Sequence, residues 1–479
     1  MKRAAHSALL FAIAWLCLSC QGVLEKEPLG QLELNNFFNN PQDAVQAINA
    51  AYKQLTFSVE NNNFYWAFGV VASDEAIAGG DGSRPGITEI DVFTHTPRTE
   101  EFNDYWKLNY AGITQCNTVL VGLEKANLPG DLKNRILGEA RFLRAFYHFQ
   151  LAQVFGDVPL ITSILSPSEM RVSRRPRSEV LAQVIKDCEE AALVLPVGYP
   201  SAESGRATRG AALALAAKAH LYAKDWAKVL EKVNQIKALG IYELMANYQD
   251  NFSEQTQNNR ESVFEIQHTN LEFGVGNSLN QWWASKKFSS GYGFAEVAEE
   301  FVTAFDPSDP RLRFTVARNN EPYFGLIFKP SFSSTRYGVR KFLQADSTTT
   351  QKADGDINYT YIRFAEVLLW EAEALAESGR VQEALAPLER VRARARAQSA
   401  TPATALPRIS TTDKTELIQA IRRERTFELG FECHRFFDLV RWGLAPSVLG
   451  GFKAGKHEVF PIPQTEMDLN PALVQNPGY

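Results

Sequence analysis

Two stretches of the chain carry the residue types that recognise sugars. The first is Asn61-Asn62-Asn63-Phe64-Tyr65-Trp66, followed by Asp74 and Asp81. The second runs from Asn277 to Tyr292 and holds Asn280, Gln281, Trp282, Trp283, Lys286 and Tyr292. Aromatic faces stack on the apolar surfaces of sugar rings, while side-chain amides and carboxylates take the hydroxyls. Both stretches lack helical periodicity and read as loops, so Trp66, Asp74, Trp282, Trp283 and Tyr292 are the candidate ligand-binding residues. The competing reading is that Trp66 and one of Trp282 and Trp283 fill the core, since indole rings are highly buried on average. Successive side chains on an extended segment point to opposite faces. Trp282 and Trp283 are therefore expected to leave one ring exposed, and Trp283→Ala or Trp66→Ala to weaken binding with the fold intact.

Signatures of catalysis are missing. There is no His-Glu-x-x-His, no phosphate-binding Gly-x4-Gly-Lys-Ser/Thr and no Gly-x-Ser-x-Gly elbow. The seven histidines are scattered and give a zinc cluster no local support. Asp354, Asp356 and Asn358 imitate the opening of a calcium loop, but Tyr359 and Ala365 stand at its sixth and twelfth positions, so that reading fails. A glycosidase needs two carboxylates held across a cleft. Among 55 acidic residues such a pair leaves no mark in sequence.

The elements that must position these residues are organised around Ile421 to Gly443, IRRERTFELGFECHRFFDLVRWG. Opposite charges recur three or four residues apart, Glu424–Glu428–Glu432 beside Arg425 and Arg435, then Arg435–Asp438–Arg441. On a helix such partners lie on neighbouring turns. Phe427, Phe431, Phe436, Phe437 and Trp442 make the stretch too apolar for a solvated face. A buried carboxylate needs a partner, so a structural ion network is expected here rather than a catalytic carboxylate cluster.

This stretch resembles the C-terminal signature of the SusD/RagB family, surface glycan-binding lipoproteins of Bacteroidetes. The pattern R-x-E-R-x-x-E-L-x-x-E-G-x-R-x-x-D-L-x-R-W is matched at Arg422 or Arg423, Glu424, Arg425, Glu428, Leu429, Glu432, Arg435, Asp438, Leu439, Arg441 and Trp442. Cys433 stands in place of the usual glycine. The run EARFLRAFYHFQLAQVFGDVPL, Asp309-Pro310-Arg311 and the closing FPIPQTEMDLNPALVQNPGY are similar to further family segments. The resemblance implies an outer-membrane lipoprotein on the cell surface. It implies capture of an oligosaccharide or related nutrient without cleavage, and delivery to a SusC-like TonB-dependent barrel over which the protein closes as a lid. It carries over no ligand contacts, which lie on variable loops in the family.

The leading residues agree. Lys2 and Arg3 precede an apolar run from Ala8 to Leu18 that is too short for a membrane span, so residues 1–19 read as a signal peptide. Ser19-Cys20 resembles a lipoprotein processing site, making Cys20 the lipidated residue and 20–35 a tether. Glu25-Lys26-Glu27 resembles a surface-export signal. The formal charge of −5 becomes −7 once Lys2 and Arg3 are removed, and nothing in it suggests nucleic acid. Cys116, Cys188 and Cys433 are odd in number and widely spaced, which suits small buried hydrophobes better than disulfides. No cofactor is implied.

With 479 residues, 45% of them hydrophobic, the chain can bury a large core. Helical spacing marks 36–57, resumes at Tyr105, and continues over 135–159 and 178–195 with a cap at Ser178; 59–100 reads as a long loop. Two helix–turn–helix units follow, Ala212–Ile236 about Lys224-Asp225 and Tyr361–Val391 about Ser378-Gly379-Arg380, with tetratricopeptide spacing. Arg390, Arg392, Arg394 and Arg396 are expected to spread around a solvated helix. The expected fold is mostly α, a right-handed tetratricopeptide-like helix-pair scaffold with a loop-rich second lobe. Its regions are 36–239 (N-terminal helical), 240–359 (the lobe) and 360–479 (C-terminal unit and signature). Two rivals remain at this point, a repeat scaffold without small-ligand binding and a glycoside hydrolase.

Overall fold

The computed structural model describes Phe38 and residues 40–285 and 291–479. The signal segment, Cys20, the tether and Lys286 lie outside the described residues.

Helix α1, Pro41–Lys53, begins where the Asn40 side chain accepts from the Gln42 N–H at 3.0 Å. Proline at its first turn has no donor to leave orphaned. The expected long loop over 59–100 is instead largely folded and buried. It contains a π turn at Ala67–Val71, the strand Ala76–Ala78 (β1) and the helix Pro85–Asp91 (α2). Elements this short complete too few periods to leave a pattern.

Two long helices, Glu100–Glu124 (α3) and Gly130–Phe155 (α4), pack along each other. Their approach depends on Gly112, where a Cβ would come within 2.4 Å of the Tyr147 ring. Arg177–Val194 (α5) starts with Pro176 at its cap, so Ser178 lies inside the helix and does not cap it. Arg209–Tyr222 (α6) and Trp226–Ala238 (α7) form the first helix pair, turning at Lys224 with φ 57°.

The intervening stretch is built of short pieces. Strand Ser262–Ile266 (β2) precedes the short helix Leu279–Trp282 (α8), strand Ala295–Val297 (β3) and helices Glu299–Thr303 (α9) and Arg311–Thr315 (α10). Two small antiparallel ladders follow: Val316–Ala317 (β4) pairs with Gly338–Val339 (β7), and Pro322–Tyr323 (β5) with Leu326–Ile327 (β6). β1 pairs with β3 in the register Ile77↔Glu296, which ties the early segment to this lobe. Tyr359–Arg363 (β8) pairs antiparallel with β2 and runs straight into Phe364–Glu377 (α11).

Helix α11 and Val381–Ala397 (α12) make the second pair. α11 also packs on α7, so the two pairs stack across the insertion, as neither can cover its apolar face alone. Cys116, Cys188 and Cys433 are free and buried, as their spacing suggested.

The signature stretch is two helices rather than one, Lys414–Leu429 (α13) and Arg435–Arg441 (α14). Phe431 and Cys433 between them adopt φ 61° and 62°. A left-handed residue other than glycine costs on the order of 1–2 kcal/mol, so Cys433 takes up a backbone conformation that favours glycine at some strain. The break redirects the ions. Arg425 and Arg441 do meet Asp438, at 2.8 and 2.7 Å, but Arg435 turns away to Asp74 at 2.6 Å.

The three glutamates find most of their partners far along the chain. Glu428 takes Arg311 at 3.0 Å together with Arg363 and Arg394. Glu432 takes Lys341 at 2.7 Å and Arg363 at 2.8 Å, and Glu424 takes Arg392 at 2.7 Å as well as Arg311. Burial alone would raise the Glu428 carboxyl, but the three guanidiniums outweigh it and hold it far below the usual range. The arginines of α12 are therefore not a solvated set: Arg394 is buried on Glu261 and Glu428, and Arg392 is committed to Glu424.

Candidate functional site

The two sugar-type stretches meet in the lobe. Trp282 and Trp283 close helix α8, where the backbone is helical, so the alternation expected of an extended segment does not apply. Both rings are buried, and Trp66 is 0% exposed. The expectation of an exposed indole is thus corrected: all three tryptophans are core. Trp66 lies 5.9 Å from Trp282, 6.3 Å from Trp283 and 6.4 Å from Phe294, ring centre to ring centre. Phe64 stacks on Trp282 at 6.2 Å and carries the Arg84 guanidinium over its ring at 5.2 Å. Offset and edge-on contacts of this kind stabilise a core beyond the area buried.

Tyr292 is the candidate that reaches the surface, 43% exposed, with its ring 5.2 Å from Phe294. Its backbone is fixed from below. The Tyr292 N–H donates to the Gln281 carbonyl at 2.7 Å, and the next two N–H groups donate to Ala284 and Trp282 at 2.8 and 2.7 Å. Gly291 permits this approach, because a Cβ there would sit 1.9 Å from the Ala284 oxygen. The exposed Gly80 and Asp81 border the same edge, the backbone at Gly80 lying against Phe294 and the Tyr292 carbonyl. A rigid aromatic face beside polar loop atoms can take the apolar side of a sugar ring.

Asp74 is not a free hydroxyl acceptor, since both its oxygens are held by Arg435 at 2.6 and 2.7 Å. Its neighbour Glu75 is buried and accepts from the Phe431 N–H at 3.1 Å. Burial pushes its carboxyl up to about 8, against the opposing pull of the Phe431 hydrogen bond and Arg435. Asp74 is thus committed to Arg435 and Glu75 is withdrawn from solvent. Asp354 accepts from the Gly274 and Gly276 N–H groups at 3.0 and 3.1 Å, so the calcium-like triplet serves to fold a loop. Among the described residues no group of His, Cys, Asp and Glu can hold a metal ion.

That loop carries two side chains the sequence reading passed over, Leu271 and Phe273, 88% and 72% exposed. Isolated apolar residues among polar loop residues have no periodic neighbours to mark them as buried or presented. Their exposure becomes visible only in the fold.

The comparisons fall along the same lines. Residues 242–459 match the family model described as "SusD family", and residues 30–221 the model "Starch-binding associating with outer membrane". The chain is 24% identical to SusD-like protein P25 of Formosa agariphila, with 97% of each covered. It superposes with TM-score 0.82 on a SusD superfamily protein from Bacteroides vulgatus, at 25% identity over 92% of this chain and 100% of that one. A laminarin binding SusD-like protein gives TM-score 0.81 at 30% identity, again over 92% and 100%. Stacked helix pairs, the buried ion network of the signature stretch and these full-length matches lead to one conclusion: the chain belongs to the SusD/RagB family.

Proposed function

We propose that this protein is a cell-surface glycan-binding lipoprotein that captures an oligosaccharide and delivers it to a SusC-like TonB-dependent transporter of the outer membrane. The observation that carries the reading is the 30% identity to a laminarin binding SusD-like protein over that protein's entire length. Laminarin is accordingly the first ligand to test. Tyr292 is the platform on which a sugar ring stacks, supported from beneath by Trp66, Trp282 and Trp283, while Asp74 fixes the platform's surroundings through Arg435. Cys20 bears the lipid anchor, in keeping with the "associating with outer membrane" description of the model matched by residues 30–221. The protein binds without cleaving.

Calorimetric titration with laminarin oligosaccharides tests the binding step. Co-purification with a transporter expressed alongside it, lost on Cys20→Ser if anchoring is needed for the encounter, tests the delivery step. Heat without a transporter partner would leave a glycan-binding protein and remove the delivery claim.

A further inference from the structure

A second groove, sharing no residue with the Tyr292 face, runs along one edge of β2. That strand pairs with β8 on one side and has no strand on the other among the described residues. A cleft of about 270 Å³ lies between Tyr52 near the end of α1 and the backbone of Glu265–Gln267. It continues into one of about 340 Å³ bordered by Tyr199, Tyr242 and Asn258. The two share Ser204, Gly205, Arg206 and Glu265, so they form one elongated trough.

The lining is preorganised. The hydroxyls of all three tyrosines converge on the dipeptide Ala207-Thr208. Tyr52 accepts from the Ala207 N–H at 2.8 Å, Tyr199 donates to the Ala207 carbonyl at 3.0 Å, and Tyr242 meets the Thr208 hydroxyl at 3.3 Å. Pinned at their tips and half-buried, the rings keep their positions without losing rotamer entropy on binding. Asn258 and Gln267 at the rim are locked together by reciprocal amide hydrogen bonds of 2.9 and 3.0 Å. Of the charges that line it, Arg206 is paired with Glu139 at 3.0 Å and Lys53 with Glu60 at 2.8 Å, Glu265 is buried, and Arg260 stands exposed at one end. Fixed aromatic rings and amides along a trough, with most of its charge paired or buried, suit an extended, uncharged, hydroxyl-rich chain.

We infer that this trough is a second glycan-binding site on the same chain, engaging consecutive sugar units of a neutral oligosaccharide. The inference rests on the glycan-binding reading above and adds a site to it.

The test is calorimetry on the mature chain with laminarihexaose, comparing wild type with Tyr292→Ala, Tyr199→Ala and Ser204→Arg. Ser204 is exposed, so its arginine fills the trough without emptying a packed position, and it decides the matter where Tyr199→Ala lowers the melting temperature. Two hexasaccharides per chain in the wild type, falling to one in Tyr199→Ala and in Ser204→Arg, is the expected result. A wild-type stoichiometry or affinity that neither trough variant changes overturns the second site, while the glycan reading stands on the heat observed. No heat with laminarihexaose or any other glycan of a broad panel overturns both.

Discussion

Tyr292 and the tryptophans beneath it differ in what their removal takes away. Tyr292 is 43% exposed and crowns a platform whose backbone is held by three hydrogen bonds. Tyr292→Ala is therefore expected to lower glycan affinity at least ~10-fold, about 1.4 kcal/mol, with the melting temperature unchanged. Trp282→Ala instead opens a cavity among Phe64 and Trp66, at a cost of about 3–5 kcal/mol of stability. Chemical denaturation separates the two outcomes. This reverses the expectation that Trp66→Ala or Trp283→Ala spares the fold. The residue types were legible in the sequence, but their orientation was not. Whether a loop indole points in or out depends on which backbone lies beside it, and Trp282 meets partners more than 200 residues away, at Phe64 and Trp66.

Glu75 makes a pH-dependent prediction at the same scale. Its folded pKa of about 8 lies above the ordinary 4.5. The protonated carboxyl therefore contributes stability that is fully present below pH 4.5 and lost as pH rises through about 8. Glu75→Gln keeps the neutral form and its acceptor for the Phe431 N–H. Its melting temperature relative to wild type is expected to rise between pH 5 and pH 9; a constant difference would show that Glu75 is ionised throughout.

At the level of elements, the ion network joins α10, β8, α12 and α13. Glu428 receives three arginines from three different elements. Removing one member of a buried set leaves uncompensated charge, so Glu428→Gln is expected to cost about 3–5 kcal/mol. The Glu428 carboxyl is depressed in the fold, so its contribution is present above the unfolded value of 4.5 and is lost as pH falls below it. Acid unfolding monitored by circular dichroism should begin below that value in the wild type and lose much of its steepness in Glu428→Gln. The helix pairs were legible because their apolar period repeats over several turns. That the signature stretch is buried and ionic was legible too, from aromatics interleaved with charge. Its partners were not, because Arg311, Arg363 and Arg394 sit in segments whose only common feature is their place in space. The short pieces β1, α2 and α8 left no period to read.

For the whole molecule, α7 packs against α11 to join the helix pairs, while the lobe between them presents Tyr292 and Phe273 and supplies one wall of the β2 trough, the N-terminal helical region supplying the other. Among the described residues no helix is long and apolar enough to cross a membrane. The most direct test of the account is one titration of residues 21–479, without lipid, against a panel of soluble glycans headed by laminarin. Binding heat and new reducing ends are read from the same tubes. The account predicts saturable heat with at least one glycan and no new reducing ends. Release of reducing ends would contradict it in favour of a hydrolase, and silence across the panel would contradict it in favour of a non-glycan ligand or a scaffold without one.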